Sequence, residues 1–180
     1  DVIGATSAGE FTDGHQSEGA SVIMLLDIPK EEYSIFFETI GDGSSEVTAR
    51  QLGEGALRQF NHPAIIFCST FLSAEGIAID GETLMRNIEN VVGSQVNIFG
   101  GMAGDDLSFT GSYVFTNNDA TDYGLVALIV DADKIAMQGM AISGWKPMGI
   151  PRTITKSEGN LIYTIDDKPA SLAANEYALL

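Results

Sequence analysis

The 180-residue chain predicts an α/β (α+β) fold: a mixed sheet with two helices in the first half and an antiparallel β meander in the second. Three observations carry that reading. Two segments of helical period, near 46–60 and 81–92, alternate with strand-like runs in the first half. From Tyr113 to Asp166 no helical period recurs, and turn signals separate short β-branched runs. Hydrophobic residues make up 44% and charged residues 19%, which suits a folded core rather than a disordered acidic chain.

The elements follow in order. After the glycine-rich opening Gly4–Gly14, Ala20–Asp27 (ASVIMLLD) is an apolar run of strand length, and Tyr33–Gly41 is aromatic and β-branched enough for a second strand. Pro29 between them marks a turn or edge. Ser44 or Ser45 caps a helix over Glu46–Phe60, with Val47, Leu52, Ala56, Leu57 and Phe60 expected on its buried side. Pro63 ends it, and Ala64–Ser69 follows as a strand holding the single cysteine, Cys68. Asp80 or Gly81 opens the second helix, in which Leu84, Met85, Ile88, Val91 and Val92 recur at helical spacing before Gly93 stops it. Strands are then expected at Gln95–Phe99, Tyr113–Thr116, Tyr123–Val130, Ile135–Trp145, Arg152–Ser157 and Leu161–Asp166. Turns fall at 117–119, 131–133, 147–149 and 158–160. The chain reads as cut at both ends: Asp1–Gly4 is a strand end with no element before it, and Ser171–Leu180 is the start of a helix.

Charge narrows the partners. Nine Lys and Arg stand against 25 Asp and Glu, a formal net charge of −16. Such a chain lacks the cations to displace counterions from nucleic acid or to bind an anionic membrane surface. One cysteine excludes an internal disulfide and fits a reducing, cytoplasmic setting.

The chain also echoes itself. Ile3–Glu10 lines up, with one residue skipped, against Phe99–Asp105: a strand end, a small-residue loop, Ala-Gly, then a carboxylate. Each is followed by an apolar run ending in Asp, 20–27 and 124–131, which suggests a duplicated supersecondary unit. Three strands deliver their carboxyl ends into loops of small and polar residues, and in open α/β sheets ligands sit at such ends. The candidate ligand-binding residues are therefore Thr6, Ser7, Gly9, Glu10, Ser69, Thr70, Gly100, Gly101, Asp105 and Asp106. Loop N–H groups, those of Gly100 and Gly101 first, would take a carboxylate, and Asp105 an ammonium group. If the duplication is real, the two glycine loops should meet.

Catalytic and metal patterns are poor. Residues 100–106 (GGMAGDD) lack the Gly-Lys-Ser/Thr ending of a phosphate loop, Ser7 is not in G-x-S-x-G, and Ser7, Asp13 and His15 read as local turn groups rather than a triad. Two scattered histidines and one cysteine do not make a zinc site. No enzyme activity, metal or cofactor is expected.

Three blocks carry a family resemblance. Gly4–Phe11 (GATSAGEF) resembles the G-C-S-T-A-G-E-I loop of the FIST domain. Ile98–Asp106 (IFGGMAGDD) with Val114-Phe115 and Tyr123–Val130 resembles its FGGxAGDD block, and Gly159–Ala170 (GNLIYTIDDKPA) its link into a C-terminal half. Ala5 replaces the usual Cys, and Asp167 stands where Gly is common. The resemblance implies an N-terminal-type domain over 1–166 lacking its first strand–helix unit, with 167–180 beginning the link. It further implies a cytoplasmic sensory domain that binds a small ligand, amino acids being the proposed class. The signal would pass to an output partner such as a chemotaxis receptor, a histidine kinase or a cyclic-dinucleotide enzyme. The alternatives are a haem-binding gas sensor, with His15, His62, Cys68 or a methionine as axial ligand, a protein-interaction scaffold, and a hydrolase using Ser7 or Thr6.

Overall fold

The structure is a computed structural model that describes residues 1–41, 44–73, 75–140, 146–147, 149–158 and 161–171. The chain divides into two compact units, Asp1–Met140 and Ala141–Leu180. The first unit begins with β1 (Ile3–Ala5) and a hairpin of β2 (Glu10–Thr12) and β3 (His15–Ser17). A single 3-10 turn at Lys30–Glu32 leads into β4 (Tyr33–Thr39). Then come α1 (Ser45–Gln59), β5 (Pro63–Ser69), α2 (Gly81–Val92) and β6 (Ile98–Met102). The unit finishes with β7 (Val114–Thr116), β8 (Ala120–Thr121) and β9 (Gly124–Asp131).

The α+β class holds, with a mixed four-stranded sheet ordered β4-β9-β5-β6. The β9 strand runs antiparallel to both β4 and β5, and β5 runs parallel to β6. Both helices start where their caps predict. The Ser44 hydroxyl accepts the Val47 N–H, and the Asp80 carboxylate accepts the Glu82 N–H at 3.0 Å and the Thr83 hydroxyl at 2.8 Å. Gly93 closes α2 at φ 86°. One sheet face and the two helices enclose the main core, built from Leu52, Ile65, Phe67, Leu84, Ile88, Leu125, Ala127 and Ile129. The opposite face carries a smaller cluster, Ala103, Val114 and Val126, against which Ile3, Ala5, Ile35, Phe37 and Cys68 pack. A second sheet, β1-β7-β8, supplies Ile3, Ala5 and Val114 to that face.

Several expectations need correction. Val47 and Leu57 of α1 are about half exposed, while Thr48, Ala49 and Gly53 are buried. The cause is close helix packing, since a Cβ at Gly53 would sit 2.9 Å from the Val91 Cβ of α2. The second half is not one continuous meander. The β9 strand leaves β7 and β8 and inserts between β4 and β5, because Leu125–Val130 is apolar on both faces and needs cover on both. Residues 135–140 form no strand; the Lys134 and Ile135 N–H groups turn back onto the Asp131 carbonyl. The rest of that expected strand, 141–145, lies outside the described residues. Ala20–Asp27 is not a strand either, and its side chains are exposed.

The second unit holds β10 (Ile154–Glu158), β11 (Leu161–Ile165) and β12 (Lys168–Pro169) in an antiparallel sheet. Asp166 and Asp167 take left-handed φ values of 49° and 62° in the β11–β12 turn. The Asp166 carboxylate accepts the Thr153 N–H and the Arg152 guanidinium, each at 3.0 Å, which holds it below the usual carboxylate range. The turn residues Gly159 and Asn160 and the helix start after Ser171 lie outside the described residues. No helix among the described residues is long and apolar enough to cross a membrane.

Candidate functional site

The two glycine loops meet. Thr6 is the staple: its N–H donates to the Tyr113 carbonyl at 2.9 Å, and its hydroxyl oxygen accepts the Tyr113 N–H at 2.9 Å. Its carbonyl accepts the Gly104 N–H at 3.0 Å, joining the first loop to the second. Gly104 is glycine for want of room, because a Cβ there would lie 2.9 Å from the Ala8 nitrogen. The second loop is tied to β5 by the Ala103 N–H, which donates to the Ser69 carbonyl at 2.7 Å.

A cavity of about 190 Å³ opens at this junction. Ala8 comes from the first loop and Ala103, Gly104 and Asp105 from the second. Phe71 and Leu72 follow β5, and Leu107, Phe109, Gly111 and Ser112 complete the wall. The wall is mainly apolar, with Ala103 and Ser112 buried and Leu107 and Phe109 exposed. The segment from Leu107 to Thr110 is wound around the Asp105 carboxylate. That group accepts the Leu107 and Thr110 N–H groups, each at 2.9 Å, and the Ser108 hydroxyl at 3.5 Å. Leu107 and Phe109 are held at φ 67° and 55°, a left-handed backbone that costs a bulky residue about 1–3 kcal/mol. Behind them, the Ser112 hydroxyl oxygen accepts the Phe71 and Leu72 N–H groups and so fixes the back wall.

Of the residues expected to bind ligand, Asp105 lines the cavity, and Thr6 sits behind it as the staple. The others serve the frame. The Ser7 hydroxyl donates to Glu10 at 2.7 Å, and the other Glu10 oxygen accepts the Ala20 N–H at 3.0 Å. These bonds keep the Glu10 carboxyl below the usual range. Gly9 faces the Ser17 carbonyl of the hairpin. Thr70 is buried, its hydroxyl joined to the backbone of Gly124. Ser69 is fully buried, and its hydroxyl has no hydrogen-bond partner among the described residues.

Gly100 and Gly101 belong to β6 rather than to a loop and are absent from the cavity wall. At φ 153°, a Gly100 Cβ would fall 1.9 Å from the Phe67 carbonyl oxygen, and the Gly101 N–H is directed to the Cys68 sulfur. Hydrogen bonds from Ser108 draw the Asp106 carboxyl below the usual range, and Asp106 too lies off the wall.

Phe71, Leu72 and the 107–112 stretch escaped sequence reasoning. Their signal was aromatic and apolar residues placed in loops, Phe71 directly after Ser69-Thr70 and Phe109 inside the turn-rich LSFTGS. No histidine, cysteine or methionine is among the residues that line the cavity, and the His62 Nδ1 pairs with the Asp133 carboxylate at 2.9 Å. Among the described residues, no three His, Cys, Asp or Glu side chains gather where they could hold a metal ion.

Compared with known families, residues 1–168 match the model of the FIST N domain. No curated protein and no solved structure matches the chain.

Proposed function

Since the chain belongs to the FIST N domain family of signal-transduction sensory domains, we propose that its first unit senses a small molecule bound in the cavity between the two glycine loops. The observation that carries this reading is the junction itself. Two loops leaving strand ends are locked together by Thr6 and Gly104, and the cavity opens where they touch. Its volume of about 190 Å³ suits a ligand of amino-acid size, below the roughly 300–1,000 Å³ of sites for drug-sized molecules. Phe71, Leu72, Leu107 and Phe109 favour an apolar side chain. The Asp105 oxygens retain lone pairs beyond the loop donors they accept, and an ammonium group is the complementary donor. The ligand's carboxylate then lies at the mouth, toward solvent.

Signalling follows from the same geometry. A ligand that orders the strained 107–112 stretch acts on Ser112 and Tyr113, and through Tyr113 on β7 and β1. An output module or partner protein, such as a chemotaxis receptor, a histidine kinase or a cyclic-dinucleotide enzyme, reads that displacement. The proposal includes a cytoplasmic setting, in keeping with the single thiol. Hydrolysis is the weaker alternative. The Ser7 hydroxyl donates to Glu10, and a carboxylate with a lowered pKa is a poor general base.

The test is calorimetry and thermal shift with the twenty amino acids. Leucine, methionine or phenylalanine should raise the melting temperature, and glutamate should not. A ligand at about a hundredfold its Kd adds about 2.7 kcal/mol. Flat melting curves with all twenty would sink the reading.

A further inference from the structure

The cavity between the glycine loops is equipped to hold a cation and not an anion. An α-amino acid brings both an ammonium group and a carboxylate. Asp105 answers the first, and nothing in the wall answers the second. Among the described residues, no lysine, arginine or histidine lines the cavity. Backbone N–H groups are the other means of holding a carboxylate, and here they are already spent. Phe71, Leu72, Ala103, Gly104, Leu107 and Ser112 line the cavity, and each donates its N–H to an acceptor within the protein. The Ser112 hydroxyl accepts two of these and itself donates to the Leu72 carbonyl at 3.4 Å. Gly100 and Gly101, the expected carboxylate donors, lie in β6 and off the wall.

The surrounding field has the matching sign. Residues 141–180 hold four basic and four acidic residues, so the formal net charge of −16 belongs to the first unit. Asp106, exposed and next in the chain to Asp105, adds a second carboxylate, and the Ser108 hydrogen bonds favour its ionised form. A ligand carboxylate brought here gives up water for like charge and no donor.

Building on the reading of this cavity as the ligand site, we infer that it selects a primary amine with an apolar tail and no carboxylate, the molecule left when an apolar amino acid loses its carboxyl group. The ammonium group donates to the Asp105 oxygens, which keep lone pairs beyond the Leu107 and Thr110 N–H groups they accept. The tail lies against Phe71, Leu72 and Phe109. The negative field draws in such a cation and gives no net pull on a zwitterion, whose charges cancel.

The test is calorimetry on the full 180-residue chain with four probes that share one aromatic tail: phenethylamine, L-phenylalanine, L-phenylalaninamide and phenylpropionate. Phenethylamine should bind about tenfold or more tightly than phenylalanine, and phenylpropionate should not bind. Phenylalaninamide keeps the bulk of phenylalanine without its negative charge, so it should bind more tightly than phenylalanine. Asp105→Asn keeps the shape and removes the charge; with its melting curve intact, it should cost the amine about tenfold. In the parent protein, raising salt from about 50 to about 500 mM should weaken amine binding and narrow its lead over phenylalanine. Phenylalanine bound as tightly as the amine, or more so, overturns the inference and leaves the cavity an amino-acid site. A lead that neither added salt nor Asp105→Asn reduces overturns it as well. Binding of none of the four removes the cavity as a ligand site, and the amine assignment with it.

Discussion

Gly104→Ala tests whether the loop junction holds the site together. The added Cβ would stand 2.9 Å from the Ala8 nitrogen, 3.3 Å from the Ala8 Cβ and 3.4 Å from the Ser7 carbonyl carbon. The nearest of these is a backbone atom, which cannot swing aside as a side-chain tip does. Relief requires the loops to part by roughly half an ångström, which lengthens the 3.0 Å hydrogen bond from Gly104 to Thr6 past its useful range. Overpacking of this kind costs about 1–3 kcal/mol, and loss of the hydrogen bond about 0.5–1.5 kcal/mol. A net destabilisation of about 2–3 kcal/mol lowers the melting temperature of a chain this size by about 5–10 °C. The assay is paired thermal melts of Gly104→Ala and Gly101→Ala; at Gly101 nothing lies within 4 Å of an added Cβ. The alanine at 104 should also reduce ligand-induced stabilisation, since the Ala8 and Gly104 walls move apart. If both variants melt with the parent protein, the junction is not a structural contact and the argument for the cavity falls with it.

Three further outcomes are expected. Asp105→Ala removes the acceptor of the Leu107 and Thr110 N–H groups, so amide exchange across 107–112 should quicken and amino-acid binding should drop about tenfold or more, while Asp119→Asn leaves binding unchanged. Cys68 is half-buried, and its burial raises the thiol pKa; native protein at pH 8 should react with a thiol reagent far more slowly than unfolded protein, and equal rates would refute this. His62 should titrate above its ordinary range, chiefly through the hydrogen bond to Asp133, and Asp133→Asn should lower its pKa by NMR. A raised folded pKa means that any stabilisation from this pair is complete below the ordinary value and is lost as pH rises through the raised one.

What the residues announced and what they concealed divide along a physical line. Local rules narrowed the helix starts to Ser44 or Ser45 and to Asp80 or Gly81, of which Ser44 and Asp80 are the caps, and placed the stop at Gly93, because a cap is settled by its nearest neighbours. The buried face of α1 was half legible: Leu52 and Ala56 carry a hydrophobic signal, whereas Gly53 is buried because Val91 of another helix approaches it. For β9 the unbroken apolar run declared a strand, but its insertion between β4 and β5 depends on pairing with segments far away in the chain, Ser69 with Leu125 and Tyr33 with Val130. The echo correctly brought Gly4–Glu10 and Gly100–Asp106 together. It misassigned Gly100 and Gly101, since a glycine pair reads as a loop while a close carbonyl, that of Phe67, needs glycine inside a strand. Phe71 and Phe109 stayed hidden because cavity walls drawn from loops have no period.

The two faces of the four-stranded sheet are unequal in depth. On the helix side, α1 and α2 approach so closely that Gly53 leaves no space for a methyl group, and the layer beneath is thick. On the loop side the buried hydrophobic cluster is small, built from Ala103, Val114 and Val126. A force applied at the Thr6–Gly104 junction therefore meets a rigid anvil behind it and a thin, deformable skin around it. Amides of β5 and β9 should exchange only when the whole unit unfolds, while those of β1 and β7 escape through small local openings. The fold thus confines compliance to the side where the two loops meet, and a stimulus of a few kcal/mol is spent on moving that skin rather than on loosening the core.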